Sequence, residues 1–255
     1  MVPSASVGAS KLIIDADADV WVSEFNPQHN ANDIHLLQAG VGRGREAREV
    51  GRLVTYLRFD VSDVPTSTAL QTTRITRAEL TLFAQSSGLA GQQDRLFVSV
   101  AGCPVIDWAE EAITWENRIC PDLTQADDMQ LIGVADLPQI HRWDVTRSLA
   151  QALNAKRKRV TLILSAFKVE VTPGAREIVP GRQFGPEQNV GFVRFWSRER
   201  ATLSARAAPT LAVTYEREDT NLVQFAGTVI AILSALSLAL GVWEGLRRAR
   251  AALHR

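Results

Sequence analysis

Asp15, Asp17 and Asp19 alternate along IIDADADVWV, so on an extended strand their carboxylates share one face. Three carboxylates on one face suit a hard cation such as calcium, which takes oxygen ligands. The same spacing also serves as a solvent-facing acidic edge that discourages sheet aggregation. Calcium at these three residues is the one cofactor the sequence suggests. Cys103 and Cys120 are too far apart for a CxxC metal or redox motif. Outside the cytoplasm they can form a disulfide, and closing a loop of that size contributes about 3 kcal/mol. Otherwise they are two buried thiols. His29, His35, His141 and His254 show no metal-ligand spacing, and no GxSxG, HExxH or glycine-rich phosphate loop is present. Glu110, Glu111 and Glu116 supply carboxyls enough for a glycosidase pair, but nothing sets two of them across a cleft. A non-catalytic protein is expected.

The elements that must position these residues read as short strands. Lys11–Ile14, Val20–Val22, Leu53–Phe59, Glu79–Phe83, Leu96–Val100, Val160–Ser165, Val190–Trp196 and Thr210–Tyr215 are rich in β-branched and aromatic residues. In the third of these, Leu57 and Phe59 face one way while Tyr56, Arg58 and Asp60 face the other. Pro65, Gly88–Gly91, Pro121, Pro173–Gly174 and Pro180–Gly181 punctuate the gaps. This pattern predicts an all-β sandwich or jelly roll. One short helix is expected after Trp143, capped by Asp144 or Thr146, with Leu149 and Leu153 on one face. The run KRKR at 156–159 ends it, where basic charge complements the helix dipole.

The chain balances 28 basic against 28 acidic residues and shows no basic face of the kind that binds nucleic acid. Its C-terminal region is different. Residues 222–243 are uncharged and dominated by Leu, Ala, Ile and Val, long enough for one transmembrane helix. A linker at 217–221 precedes it and a basic tail at 244–255, with Arg247, Arg248, Arg250 and Arg255, follows. Gly227, Ala231, Ala235 and Ala239 line one face of this span, which suits close packing against another transmembrane subunit. The positive-inside rule puts the tail in the cytoplasm and the domain at 11–216 on the periplasmic or extracellular side. The N-terminal arm, residues 1–10, pulls the other way, since MVPSASVGASKLIID lacks the basic start and apolar stretch of a signal peptide. The expected setting is a single-pass protein of the inner membrane.

Several segments then match one family in order. ADVWV at 18–22 is followed by Pro27 and Asn30. TYLRFDVSDVP lies at 55–65, ITRAELTLF at 75–83 and DWAEEAITWENR at 107–118. WDVTRSLAQAL lies at 143–153, FWSRE at 195–199 and APTLAVTY at 208–215. Together these resemble the DNRLRE family of jelly-roll β-sandwiches, found in secreted and surface proteins, some of which bind acidic polysaccharides. The chain departs from the family pattern at Ile119–Cys120, where a proline is usual, and in the length of 169–188.

The resemblance implies that motif residues hold the fold: Trp115, Asn117, Trp143, Asp144 and Trp196. Arg58 and Arg198 are expected to pair with Asp60, Asp144 or Glu199. Trp21 and Trp108 are the candidates for stacking on sugar rings. Two functions compete. The first is an accessory subunit that braces or caps a larger membrane assembly, favoured by the small-residue stripe and by the lack of a catalytic companion. The alternative is a membrane-tethered polysaccharide-binding module, favoured by the resemblance.

Overall fold

The computed structural model describes residues 8–32, 35–43, 50–68, 71–89, 94–120, 125–169, 190–202 and 208–219. They form ten strands and one α-helix: β1 (Ala9–Ser23), β2 (Leu36–Arg43), β3 (Val50–Asp60), β4 (Gln71–Ser87), β5 (Arg95–Cys103), β6 (Asp128–Gly133), β7 (Gln139–Asp144), α1 (Thr146–Asn154), β8 (Arg159–Val169), β9 (Gly191–Trp196) and β10 (Thr210–Asp219). The fold is mostly β, as expected, and consistent with a sandwich or barrel.

The strands join in the order β1-β10-β4-β9-β2-β3-β8-β5-β6, and β7, off this path, pairs with β4. A further pairing of β1 with β3 closes the first six into a ring. The closure depends on β3, which serves two neighbours along one edge. Its first part, Val50–Leu53, pairs with β2, and its second, Thr55–Asp60, pairs with β8. The Thr55 hydroxyl donates to Gln38 O across this fork at 2.8 Å. Gly40, opposite Leu53, has φ +138, and a Cβ there would collide with Gly191 O and Phe192. Only glycine gives the chain both that conformation and that approach.

Alternation within β3 comes out as the sequence predicts. Leu57 and Phe59 enter the main core with Leu80, Leu82, Val98, Trp143, Leu162 and Phe195. Tyr56 points outward, yet it too is buried. Residues 103–120 fold over the outer face of β1, β3 and β8 and make a second apolar cluster of Val20, Val22, Tyr56, Trp108, Ile113, Trp115 and Ile163.

The contacts divide the chain into two compact units, the larger being Ala9–Pro65 with Ile75–Tyr215. The described parts of the smaller are residue 8, 66–68, 71–74 and 216–219, where Thr73 N donates to Ser67 Oγ at 3.0 Å. Helix α1 begins differently from expectation. Val145 is the N-cap residue and makes no side-chain cap. Asp144 Oδ1 instead accepts from Thr146 N at 2.9 Å, while Thr146 Oγ1 accepts from Ala78 N at 2.8 Å, tying the helix start to β4.

Among the described residues no helix is long and apolar enough to cross a membrane. The expected span at 222–243, its stripe of Gly227, Ala231, Ala235 and Ala239, and the tail at 244–255 lie outside the described residues.

Candidate functional site

A cleft of about 370 Å³ opens where β8 and β2 part along the edge of β3. Its floor is Val54 and Tyr56 from β3 with Ile163 and Ser165 from β8. Trp115, Arg118 and Cys120 form one wall, Arg52 and Phe167 the ends. Arg52 reaches it because Arg52, Val54, Tyr56 and Arg58 all lie on the outer side of β3. The guanidinium of Arg118 lies 4.1 Å from the centre of the Trp115 ring and that of Arg52 5.0 Å. Arg52 also pairs with Glu24 at 3.2 Å, with both side chains open to solvent, an ion pair worth little in water. Burial pushes the Tyr56 hydroxyl up to about 12, so it stays a neutral donor, bonded to Ile119 O at 2.8 Å.

The wall is fixed by polar contacts that the motif 107–118 supplies. Trp108 Nε1 donates to Thr161 Oγ1 at 3.0 Å, Asn30 Nδ2 donates to Glu110 O and Ile113 O, and Arg58 donates to Trp108 O. Asn117 Oδ1 accepts from Thr114 N at 2.7 Å, and its Nδ2 donates to Ala112 O. A disulfide joins Cys103 to Cys120, pinning the end of the wall to β5.

Trp21 and Trp108, the candidates for stacking on sugar rings, are both packed into the protein. Trp21 is 7% exposed in the main core and Trp108 8% in the second cluster, with Arg58 over its ring, so neither offers a free face. Trp143 is fully buried and Trp115 nearly so. Trp196 departs from its expected core place. It is half-buried on the outer face of β9, stacked 4.1 Å from Phe83 and bonded to Gln85 at 2.9 Å.

The three aspartates do not come together. The register of β1 against β3 slips between Ala16 and Ala18, so Asp17 occupies a bulge and the alternation reverses there. Asp15 is exposed, and Asp17 meets Arg58 at 3.0 Å. Asp60, one expected partner of that arginine, is exposed and accepts from Ser62 N instead. Asp19 turns inward and is 1% exposed. There it joins Glu110 and Glu199, with a ligand oxygen of each within 4.8 Å of the others. Arg198 already serves this group. It donates to Glu110 at 2.7 Å, to Glu199 at 3.0 Å and, from its backbone N, to Asp19 Oδ2 at 2.6 Å. Burial, and then the Glu199 carboxylate, push the Asp19 carboxyl up to about 8. At neutral pH a proton on Asp19 relieves the crowding of three carboxylates around one guanidinium.

The described lining of the cleft thus combines a fixed aromatic wall with two arginines. The family model for carbohydrate-binding module family 96 matches residues 11–170. The chain belongs to carbohydrate-binding module family 96. No curated protein matches the sequence. The matched stretch contains every residue of the cleft, the second apolar cluster and the disulfide. The DNRLRE likeness rests on the motif segments alone, and those at 195–199 and 208–215 lie beyond the family 96 match.

Arg52, Arg118 and Tyr56 were not expected as site residues. Tyr56 could be placed outward by alternation, but only the fold of 103–120 over β3 brings Arg118 to Arg52.

Proposed function

We propose that the domain is a non-catalytic module that binds an acidic polysaccharide in the cleft between Arg52 and Arg118. Membership of a carbohydrate-binding family favours this over the bracing of a membrane assembly. The observation that carries it is the pair of guanidinium groups set against Trp115 at 4.1 and 5.0 Å in an open cleft. Arginine recognises carboxylates through a planar fork of donors, so a uronate sugar suits the site better than a neutral one. We read the fold as a jelly roll, placed on the outer side of a membrane by a C-terminal span. The Cys103–Cys120 disulfide supports an oxidising compartment. The bracing role rests on the stripe at 227–239 and has no support among the described residues.

The test is retention of the full chain on immobilised polygalacturonate, polymannuronate, polyguluronate and hyaluronate, with neutral β-glucan as control. At least one uronate polymer is expected to retain the chain, and Arg52→Ala with Arg118→Ala to release it. Retention on β-glucan alone, or equal retention of the variant, overturns the reading.

A further inference from the structure

Beyond the cleft, an apolar row crosses the outer face of the sheet, and no described residue packs over it. Phe167 closes one end of the cleft, and its cross-strand neighbour is Phe97 on β5, whose own neighbour on β6 is Leu131. The two rings lie 5.6 Å apart, with Phe167 37% and Leu131 39% exposed. The next row inward runs Ser165, Ser99 and Met129. The two serine hydroxyls bond each other at 2.9 Å, and Met129 is 49% exposed. Single exposed apolar residues need no explanation, but a contiguous row that leads out of a cleft does.

The geometry limits what can cover this row. It begins at the cleft, so its occupant continues from whatever fills the cleft. Its own side chains carry no charge, and the charge on that face in the next row outward is Arg95, already 3.8 Å from Asp136, so the occupant presents an apolar face to the row itself. A glycan does both, because a sugar ring has polar edges and a C–H face that packs on aromatic rings. Four strands about 4.8 Å apart set roughly 14 Å between β3 and β6, room for a chain of several sugars laid across the strands.

We propose that the binding track continues from the arginine cleft across β8 and β5 onto Phe97 and Leu131, which take successive sugar rings of one chain. This rests on the cleft being a polysaccharide site. Longer oligomers therefore bind more tightly than short ones, and the gain comes from the apolar row.

The experiment titrates size-fractionated oligomers of whichever uronate polymer retains the full chain, using wild type, Arg118→Ala and the pair Phe97→Ser with Leu131→Ser. The pair is expected to weaken binding of long oligomers about tenfold while leaving the shortest bound oligomer unchanged. Arg118→Ala weakens every length. Phe97→Leu keeps the packing and removes the ring, so it shifts in the same direction should the serine pair fold poorly. Equal affinity of the pair and wild type at every length overturns the extension alone, including the case where another part of the chain covers the row. A uniform loss at every length also overturns it, since the row then acts only through the cleft. No uronate polymer retained by wild type overturns the cleft reading and the extension together.

Discussion

Trp108 sets its indole nitrogen on Thr161 at 3.0 Å and its ring under Arg58 and beside Tyr56. Cutting it to alanine empties the middle of the second apolar cluster and leaves the buried Thr161 hydroxyl without this partner. Trp108→Ala is expected to cost about 3–5 kcal/mol, read as a lower urea midpoint. An unchanged midpoint with lost polysaccharide binding would return Trp108 to the ligand. Asp19 gives a prediction in pH. Its carboxyl ordinarily titrates near 3.8 and is held near 8 in the folded chain, so the folded state binds the proton more tightly than the unfolded one. The stability from that proton is present in full below pH 3.8 and is lost as pH rises towards 8. The melting temperature of wild type therefore falls more steeply between pH 5 and 8 than that of Asp19→Asn, which carries no titrating group there. Parallel curves for the two proteins would contradict the raised carboxyl. Neither Asp19's burial nor its partners could be read from DADAD, because the single bulge at Asp17 decides which aspartates face inward.

At the scale of elements, the disulfide and the loop it closes set the cleft wall. The Cys103→Ser, Cys120→Ser variant is expected to lose about 3 kcal/mol, seen as a lower denaturant midpoint that reductant does not lower further. Wild type in reductant should fall to the same midpoint. If reductant leaves wild type unchanged, the bond does not carry that stability. The strands rich in valine, isoleucine and leucine were legible, and so was α1, whose Leu149 and Ala152 face the core. Three strands were not. LLQAGVGR in β2 holds two glycines, poor strand formers, and forms because β3 and β9 flank it. DMQLIG in β6 and QIHRWD in β7 are short and polar, and each is made by an existing neighbour, β5 and β4. Lys11–Ile14 and Val20–Val22, two expected strands, are the ends of one long β1.

For the whole molecule, the expected all-β fold follows from alternation that any strand can show, whereas the cleft follows from long-range closure. Residues 52, 56, 118 and 163 meet only because β3 divides between β2 and β8 while a disulfide folds 103–120 back over it. The motif tryptophans are legible in single segments, whereas Arg52 and Arg118 become neighbours only in the fold. The trait that decides between ligand and no ligand is the charge and openness of this cleft. The most direct measurement is calorimetric titration of the full chain with the retained uronate polymer at about 0.05 and 0.5 M salt. Wild type is expected to bind, more weakly at high salt because the ions screen the arginines. Arg52→Ala with Arg118→Ala should lose about tenfold in affinity, close to 1.4 kcal/mol, and most of the salt dependence. Binding of the variant equal to wild type, with the same response to salt, would contradict the arginine cleft as the polysaccharide site.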